Sequence, residues 1–385
     1  MRIAVPTFGA DRGRSGIGRY TREILAGLFG PKRVRNDVEG DVFVSAEDRD
    51  TWIGPGHRGR AIEVTKRTET PLWSIFWHQT GFPSRIHRGD YDLAFFPAGN
   101  RRLSWNCAVP TVASVHDLTV LRHAHKYGGR QSLYIGRILP KLIRRLTRVV
   151  TLSEASRQDI TRFTGYPLDR IDVIPLAADT ERYHDKRDES AADRLAERYG
   201  IARPYVLYVS RLEHPAKNHV RLLRAFDRFV ERTGSDATLV LVGPDWTRAE
   251  EIHEAARRVR HPERIVRPGF VDEADLPDLY READAFVFPS LCEGFGLPIL
   301  EAMACGVPVA CSNVSSMPEV AGDAAHLFDP EDEDAIADAI ERLVTDAEAR
   351  RDLRARGLER AALFSWARTA RETLASMERA METAS

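Results

Sequence analysis

Residues 285–301 read Ala285-Phe-Val-Phe-Pro-Ser-Leu-Cys-Glu-Gly-Phe-Gly-Leu-Pro-Ile-Leu-Glu301 and carry the clearest structural pattern in the 385-residue chain. The pattern predicts a short buried strand, a turn, a glycine loop and the beginning of a helix. Gly294 and Gly296 allow unusual dihedral angles and close backbone approach, and Pro298 suits the first position of a helix. This order of elements is typical of parallel α/β sheets, in which ligands bind beyond the carboxyl ends of the strands.

The same alternation of strand and helix extends through the chain. Short apolar runs predict strands at 2–6, 41–45, 93–97, 111–115, 148–152, 205–209, 238–242, 264–267, 285–289, 307–311 and 325–328. Helical periodicity occurs at 17–29, 132–146, 154–163, 217–232, 249–259, 273–282, 297–304, 332–344 and 348–362. Nearly all-apolar strands between helices indicate parallel, doubly wound sheets.

The alternation is too long for one sheet, and it pauses near residues 178–203. We therefore predict an α/β protein with two Rossmann-like, doubly wound parallel-sheet domains that face a central cleft. The first domain covers residues 1–180 and the second covers residues 181–365. A C-terminal helix follows in residues 366–385, with Ser365 as a suitable N-cap.

The composition excludes several classes of protein. With 43% hydrophobic and 29% charged residues the chain is neither disordered nor a coiled coil, and its net charge of -1 argues against a nucleic-acid partner. No apolar run approaches the ~18 residues of a membrane-spanning helix, and the N-terminus lacks the apolar core of a signal peptide. Four cysteines without CxxC spacing suggest reduced thiols, so we expect a cytoplasmic protein.

Charge is divided unequally along the chain. Residues 1–180 hold 28 Lys and Arg against 18 Asp and Glu, whereas residues 181–385 hold 28 against 39. Residues 118–153 contain eight basic residues and no acidic one. In that segment a helical stripe is apolar on one side (Ile135, Ile138, Leu139, Leu142, Ile143, Leu146) and basic on the other (Arg137, Lys141, Arg144, Arg145, Arg148), with Pro140 as a kink or restart. We expect a core-facing stripe with a solvated basic face; contact with anionic lipid or a phosphorylated acceptor is the alternative.

Two carboxylates, Glu293 and Glu301, flank the glycine loop. A helix N-terminus favours an anion, so two acids there contradict a simple anion site. They fit a ligand that also carries hydroxyl groups, because a carboxylate can accept two hydrogen bonds from a diol. A nucleotide-diphosphate sugar has both kinds of group, phosphates for backbone amides and diols for carboxylates. The alternative without a ligand is that Glu293 is a surface acid and that Glu301 complements the dipole of the helix.

Two cations, Arg211 and Lys217, follow the predicted strand 205–209 and lead into a helix. Together they could clamp a diphosphate and neutralise charge that develops on a leaving group. Lys217 stands out because the chain has only six lysines. Taken singly, either residue is equally well explained as a solvated loop cation.

The first predicted domain offers two weaker signals. Gly16 and Gly18 lie between the first strand and the first helix, but the full GxGxxG and Walker patterns are absent. This absence argues against a nicotinamide dehydrogenase. His116 and Asp117 follow the strand 111–115, where a histidine can hydrogen-bond a substrate or serve as a capped core residue.

In combination, these motifs resemble the retaining GT-B glycosyltransferases of family four. The resemblance rests on Glu293-x7-Glu301, on Arg211 and Lys217 upstream, and on Gly16-Ile-Gly18 near the start. It covers nearly the whole chain and includes the segments 149–156, 173–179 and 301–309. Cys292 departs from the family pattern, and we expect no catalytic role for it.

The resemblance implies a role for each matched residue. Glu301 would bind the ribose hydroxyls of the donor, and Glu293 would face the transferred sugar. The implied catalytic set is His116, which contacts the sugar, Arg211 and Lys217, which hold the diphosphate, and Glu293. Further donor contacts are implied for Gly16, Val271, Gly294, Phe295, Gly296 and Leu297, and acceptor-side positions for Gly18 and Asp117. The C-terminal helix would cross back onto the first domain.

The family also implies a mechanism, front-face substitution with retention at the sugar. The loop after the first strand, residues 7–12, lacks the histidine base that inverting relatives often have there, which agrees with retention. No metal or other cofactor is required by this scheme. Asp48-Arg-Asp50 and Asp332-Glu-Asp334 match the letters of a metal-binding DxD, but we interpret both as solvated acids.

Rival functions remain open on fold alone. They are a sugar phosphorylase, a nucleotide-sugar epimerase and a non-catalytic carbohydrate-binding protein. The flanks 290–298 and 312–319 are similar to bacterial mannosyl- and rhamnosyltransferases of surface polysaccharides, which favours mannose from GDP-mannose. We expect a glycan, polyprenyl-linked or small-molecule acceptor, and peripheral contact with the inner face of an anionic membrane as a further partner.

One aromatic segment, residues 70–90, fits no family-wide motif. It contains Trp73, Phe76, Trp77, His78, Phe82 and His87. We expect a buried helix and loop there, with an acceptor-specific surface as the alternative.

Overall fold

The structure, a computed structural model, describes residues 1–13, 15–65, 68, 70–118 and 134–384. The described residues divide into two units, Met1–Leu176 with Ser365–Ser385, and Ala177–Phe364. We call them the first and second unit. The first boundary lies four residues before the position predicted at residue 180.

The first unit contains a parallel sheet in the order β3-β2-β1-β4-β5-β6-β7. Its described strands are β1 Arg2–Pro6, β2 Glu39–Ser45, β3 Arg60–Val64, β4 Leu93–Phe96, β5 Thr111–Ser114, β6 Arg148–Thr151 and β7 Ile171–Val173. Its described helices before the second unit are α1 Gly16–Phe29, α2 Arg49–Trp52, α3 Pro71–Gln79, α4 Gly81–Arg88, α5 Leu139–Ile143 and α6 Glu154–Thr164. The strand β4 is buried at every position, as expected for a parallel strand covered on both faces.

The second unit contains a parallel sheet in the order β10-β9-β8-β11-β12-β13. Its described strands are β8 Tyr205–Val209, β9 Thr238–Val242, β10 Ile265–Gly269, β11 Ala285–Phe288, β12 Val309–Ser312 and β13 His326–Phe328. Its described helices are α7 Ala191–Tyr199, α8 His219–Thr233, α9 Ala249–Arg258, α10 Leu276–Arg281, α11 Leu297–Ala304, α12 Met317–Ala321, α13 Glu333–Thr345 and α14 Ala347–Ala362. The helix α15, Trp366–Ala384, belongs to the first unit.

The strand order identifies where each sheet opens a crevice. In the second unit the order reverses at β8, which lies between β9 and β11. In the first unit it reverses at β1, between β2 and β4. Ligands of doubly wound sheets bind at such switch points, beyond the carboxyl ends of the strands. A ligand site is therefore expected at the loops after β8 and β11, residues 210–218 and 289–296.

Two strands were missed in the sequence, and both are edge strands. β3 and β7 close the two sides of the first sheet. β3 reads Arg-Ala-Ile-Glu-Val with mostly solvated positions, so it lacks the all-apolar run of a central strand. Its Arg60 forms an ion pair with buried Asp41 on β2, with 2.8 Å between guanidinium and carboxylate.

The last helix, α15, packs closely on α1. A Cβ added to Gly27 of α1 would lie 2.4 Å from the Cβ of Ala370, so only glycine fits at this crossing. Ser376 donates a hydrogen bond to Asp172 at 2.6 Å, which ties α15 to β7. The helix therefore completes the core of the first unit.

The basic segment before β6 begins as a π-helical turn, Tyr134–Ile138, and continues as α5. Pro140 lies in the first turn of α5, which agrees with a helix restart. The buried side chains are Leu139, Leu142, Ile143 and Leu146, while Arg137, Lys141, Arg144 and Arg145 are exposed. The expected core-facing stripe with a solvated basic face is therefore only partly correct, because Ile138, expected to face the core, is exposed, and Arg148, expected on the solvated face, is largely buried in an ion pair with Asp172. Residues 119–133 and the side chain of Ile135 lie outside the described part.

The aromatic segment forms α3 and α4, and the expectation that it is buried is only half correct. Trp77, His78 and Phe82 are buried in the first core. Trp73 and Phe76 of the same helix α3 are exposed. A helix presents two faces, and composition alone does not separate them when both are aromatic.

Candidate functional site

The glycine loop after β11 leads into α11 as the sequence predicted. Gly296 is the N-cap of α11 and adopts a left-handed conformation, with φ of 97°, that favours glycine. Pro298 lies at the second helical position rather than the first. The carboxyl end of β11 and the N-terminus of α11 thus bound the segment that carries Glu293.

A pair of serines on the neighbouring loop holds the backbone of Glu293. Ser315 Oγ donates to the Glu293 carbonyl oxygen at 2.8 Å and accepts from the Glu293 amide at 3.3 Å. Ser316 Oγ lies 3.0 Å from the same carbonyl oxygen and 2.9 Å from that of Phe295, so its single hydroxyl proton is shared between these two acceptors. We call Ser315 and Ser316 the serine clamp. Ser315 has φ of 59°, an unusual conformation for a residue with a Cβ, which indicates that the loop geometry is imposed by its surroundings.

The side chain of Glu293 forms an ion pair with Lys217. Lys217 Nζ lies 2.7 Å from Glu293 Oε1, and the two side chains are 17% and 15% exposed. Lys217 follows β8 and Glu293 follows β11, so the pair lies at the switch point of the second sheet. The structure thus brings together two residues that are 76 positions apart in the sequence.

The loop of Lys217 is fastened to the loop of Glu293 by further hydrogen bonds. Tyr208 donates its hydroxyl to the carbonyl oxygen of Lys217 at 2.8 Å. Asn218, which is buried, donates to the carbonyl oxygens of Pro289 at 3.0 Å and Pro330 at 2.7 Å. The ion pair is therefore supported from both sides by groups that fix the backbone.

The second predicted cation, Arg211, has different partners from Lys217. Its guanidinium carbon is 4.9 Å from the ring centroid of Trp246, and it bonds Glu213 at 3.2 Å. The side chain is 46% exposed. The structure therefore places Arg211 on the loop after β8, where the ring of Trp246 and the carboxylate of Glu213 hold its guanidinium.

Glu301 lies in the second turn of α11 and is 5% exposed. Tyr280 of α10 donates its hydroxyl to Glu301 Oε2 at 3.1 Å. Burial and the negative charge of Glu301 raise the pKa of Tyr280 well above its usual value, so this hydroxyl remains a donor. Tyr280 and the serine clamp were not identified in the sequence, because their partners are 21 to 23 residues away and no local motif marks them.

The other positions that were predicted to contact a donor lie in the loop after β10, in the loop after β11 or at the start of α11. Val271 is buried and follows Gly269, which adopts φ of 76°, while Phe270 between them is exposed. Phe295 is buried, and Leu297 is the first residue of α11. The loop after β10 is thus shaped to turn sharply with one aromatic ring in solvent.

In the first unit, the two predicted glycines differ. Gly16 begins α1, and nothing lies within 4 Å of a Cβ added there. Gly18 is buried, and a Cβ added there would lie 2.5 Å from the carbonyl oxygen of Ala10. Packing against the loop after β1 is therefore a sufficient reason for glycine at 18, whereas Gly16 leaves space for a ligand.

His116 lies two residues after the carboxyl end of β5 and is 6% exposed. Its ring meets that of Tyr20 edge-on at 4.5 Å, and its Nε2 has no hydrogen-bond partner among the described residues. Burial, with a smaller contribution from the positive charge of Arg101, lowers the pKa of His116 to about 3. The imidazole is therefore neutral at physiological pH. Its neighbour Asp117 is partly buried.

The two DxD sequences are used structurally. Asp332 caps α13 by accepting from the amides of Asp334 at 2.8 Å and Ala335 at 3.2 Å. Asp48 pairs with Arg12 at 3.4 Å. Within the described ranges, no group of three or more His, Cys, Asp or Glu side chains is arranged to hold a metal ion. The four cysteines are unbridged.

Two family models match the chain and together span most of it. Residues 14–182 match the model described as Glycosyltransferase Family 4. Residues 193–360 match the model described as Glycosyl transferases group 1.

Curated relatives include two mannosyltransferases of Escherichia coli. O-antigen chain mannosyltransferase B is 36% identical over 264 residues, which is 68% of this chain and 68% of that protein. Serotype-specific mannosyltransferase WbdA is 29% identical over 77% of this chain, and the match spans 36% of that longer protein.

Solved structures share the fold at low sequence identity. Anabaena Alr3699/HepE in complex with UDP and glucose aligns with a TM-score of 0.74 at 20% identity, over 98% of this chain and 100% of that chain. Sucrose-phosphate synthase from Thermosynechococcus elongatus aligns with a TM-score of 0.75 at 22% identity, over 100% of both chains.

Proposed function

Because this chain belongs to the family-four glycosyltransferases of the GT-B fold, we propose that it transfers mannose from GDP-mannose to a glycan, polyprenyl-linked or small-molecule acceptor. The Lys217–Glu293 ion pair carries the proposal. It offers a cation for a diphosphate and a carboxylate for sugar hydroxyls at the switch point of one sheet. Mannose is favoured because the relatives named above are mannosyltransferases.

The charge of each donor-side residue determines the group of the donor that it binds. Lys217 and Arg211 bind the diphosphate, Glu293 faces the transferred sugar, and buried Glu301 receives the ribose hydroxyls while Tyr280 orients its carboxylate. Gly16, Val271 and the loop Gly294–Leu297 supply close backbone approach. Because Arg211 bonds Glu213 in the structure, the phosphates would compete with Glu213 for its guanidinium. Gly18 and Asp117 stay on the acceptor side of the proposal.

The reaction proceeds by front-face substitution with retention. The bond between the anomeric carbon and the phosphate oxygen breaks, and the acceptor oxygen bonds to that carbon from the same face. The acceptor proton passes to the departing phosphate oxygen, so the protein supplies position and charge. The lowered pKa of His116, about 3, supports this, because such an imidazole is a poor proton acceptor at neutral pH. His116 instead offers a hydrogen bond to the sugar through its buried ring.

We propose that neither a metal nor another cofactor is needed, since Lys217 and Arg211 supply the positive charge that a divalent ion would otherwise bring. We also propose a cytoplasmic location, peripheral to the inner face of the membrane, and a place in the biosynthesis of polysaccharides. Among the described helices, none combines the length and apolar character needed to cross a bilayer.

The test is a binding screen followed by product analysis. Calorimetry with GDP, UDP, ADP and dTDP and their sugars identifies the donor, with GDP-mannose expected to bind most tightly. Incubation of that donor with mannose-terminated acceptors in EDTA is expected to yield an α-linked product, assigned by NMR. A β-linked product would contradict retention, and loss of activity in EDTA would contradict metal independence. Phosphorolysis, epimer formation or binding without turnover would each replace the proposed activity by one of its rivals.

A further inference from the structure

Two consecutive arginines after β4, Arg101 and Arg102, differ in how their charges are compensated. Arg101 Nη1 donates to the carbonyl oxygen of Gly9 at 3.0 Å and forms an ion pair with Asp11. Within the described ranges, Arg102 donates to neutral oxygens only: Nε donates to Ser74 Oγ at 2.9 Å, and Nη1 donates to the Arg101 carbonyl oxygen at 2.8 Å. The charge of Arg101 therefore has an acid partner, whereas the charge of Arg102 has none among the described residues.

Arg102 is also placed where an uncompensated charge is unfavourable. It is partly buried, and its stem lies against the loop after β1, where a Cβ added to Gly9 would be 3.0 Å from Arg102 Cγ. Burial lowers the pKa of the Arg102 guanidinium, and the negative charge of Asp11 offsets this effect only in part. The acid partners of Arg60 and Arg148, by contrast, raise the pKa of those guanidinium groups. An arginine does not lose its charge in a protein, so an anionic ligand stabilises a partly buried one that lacks an acid.

Two further side chains that follow β4 and β5 have buried polar atoms without a partner. Asn100 lies two residues before Arg102, and its Oδ1 has no hydrogen-bond partner among the described residues. The Nε2 of His116 is likewise without a partner in the part of the chain that the structure describes. The positive charge of Arg101 contributes to the lowered pKa of His116, which indicates that the two loops are close. Buried polar atoms without partners are unfavourable, so these two atoms also favour a bound ligand.

The position in the sheet and the sequence around it both favour an anionic ligand. β1 is the switch point of the first sheet, and Gly9 and Arg102 follow the carboxyl ends of β1 and β4, where doubly wound sheets bind ligands. Residues 70–89 and 93–116, which supply Ser74, Asn100, Arg102 and His116, contain no Asp or Glu. A cation without an acid in the flanking sequence selects an anion over a neutral molecule.

We propose that the acceptor carries an oxyanion, a phosphate or a carboxylate, close to its reacting hydroxyl, and that Arg102 binds this group. The Nη2 of Arg102 forms no hydrogen bond with a described residue, and a guanidinium binds an oxyanion through two parallel hydrogen bonds. Asn100 Oδ1 accepts a hydrogen bond from an acceptor hydroxyl. This inference rests on the transfer reaction proposed above and restricts its acceptor to an anionic molecule, because a neutral mannoside leaves the charge of Arg102 uncompensated.

The test measures transfer to mannosides that differ in charge. Methyl α-mannoside is neutral, mannose 1-phosphate and mannose 6-phosphate carry a phosphate at either end of the ring, and mannuronate carries a carboxylate. Steady-state kinetics uses the full chain and the donor identified by calorimetry. We expect kcat/KM to be about 10- to 100-fold higher for at least one anionic acceptor than for methyl α-mannoside, which is the range of one charge-assisted contact. A preference for the phosphates or for mannuronate identifies the oxyanion that is bound.

Substitutions at Arg102 link the preference to its guanidinium. Arg102→Gln removes the charge but keeps a donor for Ser74, so it should bring kcat/KM for the preferred acceptor down to about that for methyl α-mannoside. Arg102→Lys keeps the charge but loses the planar fork, so it should retain only part of the preference. Arg88→Gln is the matched control, because Arg88 is an exposed arginine at the end of α4 in the same unit, and it should retain the full preference. Thermal unfolding and calorimetry with the donor show that each variant is folded and binds the donor.

Two results would overturn the assignment of Arg102. One is a wild-type protein that uses the neutral and the anionic mannosides equally well, and the other is a preference for an anionic acceptor that persists in Arg102→Gln. In either case, transfer to methyl α-mannoside would show that the proposed function stands without the oxyanion. If a bound donor is transferred to none of these acceptors, the transfer reaction itself is refuted, so the two failures are distinguishable.

Discussion

Glu293 lies in the loop after β11 of the second unit, and His116 lies two residues after the end of β5 in the first unit; the two residues are held differently. Glu293 is fixed at its backbone by the serine clamp and at its carboxylate by Lys217. His116 has its carbonyl oxygen held by Ser156 at 3.1 Å, while its Nε2 has no partner among the described residues.

The two residues illustrate two ways in which a folded protein can be arranged to bind a ligand. The Glu293 loop is preorganised, so charges and backbone need little rearrangement when a charged ligand arrives. The His116 ring leaves a buried polar atom that a ligand can satisfy, and such an atom is unfavourable while it lacks a partner. A diphosphate suits the first arrangement, and a sugar hydroxyl suits the second.

The largest expected effect comes from removing the cation of the preorganised site. Lys217→Ala should lower kcat/KM by about 10²–10³, because charge on the departing phosphate loses its partner. Lys186→Ala, an exposed lysine of the same unit, is the control and should leave kcat/KM unchanged. Steady-state kinetics with the identified donor measures both.

Two results would break the contrast between the units. Near-wild-type turnover of Lys217→Ala would remove Lys217 from the donor site. If His116→Ala lowered kcat/KM as much as Lys217→Ala, the distinction between a preorganised Glu293 loop and an unpartnered His116 ring would not hold.

A smaller effect is expected from the serine clamp. Replacing Ser315 and Ser316 together by alanine should lower kcat about tenfold, because two hydrogen bonds to the Glu293 carbonyl, each about 1 kcal/mol, are lost. Ser312→Ala is the matched control, since its hydroxyl bonds only the carbonyl oxygen of Phe288 at 3.3 Å. Unchanged kcat in the double variant would show that the loop keeps its geometry without the clamp.

A purely structural role for the clamp is separated by two readouts. Ser316→Thr retains the hydroxyl, so it should keep the activity that Ser316→Ala loses. Thermal unfolding should shift in the double variant and, to a smaller extent, in Ser312→Ala, while only the former should lose kcat.

The smallest expected effect concerns stability against pH. Burial lowers the pKa of His78, and of His116, to about 3, whereas the ordinary pKa of an unfolded histidine is about 6.5. Between pH 6.5 and 3 the unfolded chain therefore binds more protons than the folded one, and the unfolding free energy falls as pH falls. Each histidine contributes at most about 1.4 kcal/mol per pH unit in this window.

Substitution at His78 tests this slope. His78 Nδ1 donates to the carbonyl oxygen of Ser74 at 2.8 Å, and the amide of an asparagine can replace that donor. His78→Asn should flatten the dependence of unfolding free energy on pH for the first unit. His219→Asn is the counterpart in the second unit, where burial also lowers the histidine pKa to about 3. Denaturant titrations at pH 4.5 to 7 that give parallel slopes for wild type and both variants would refute this account.

The sequence predicted the central strands of both sheets and the edge strands β10 and β13 of the second sheet, but it missed both edge strands of the first sheet, for a physical reason. A central parallel strand such as β4 is apolar at every position because helices cover both faces. β3 and β7 lie at sheet edges and carry charges that pair across strands, as Arg148 of β6 does with Asp172 at 2.9 Å. Such residues look like loop sequence until their partners are known.

The candidate site was likewise predictable only where it is local. Glu293, Lys217 and the glycines lie in short motifs directly after strands, so a single segment reveals each of them. Ser315, Ser316 and Tyr280 act through contacts between loops or helices, and their spacing to Glu293 or Glu301 has no periodic signature. The exposed side of α3 was missed because both of its faces are aromatic.

The packing of α15 on α1 has a consequence for synthesis. The first unit is discontinuous, since its last helix follows the whole of the second unit in the chain. Residues 1–176 therefore emerge from the ribosome long before α15 is synthesised. Until then, the groove at Gly27 that packs against Ala370 stays exposed. The second unit, whose residues are contiguous, can complete itself in the meantime. The first unit to be translated is thus the last to be finished, and a truncation after residue 364 removes core from the unit at the opposite end of the chain.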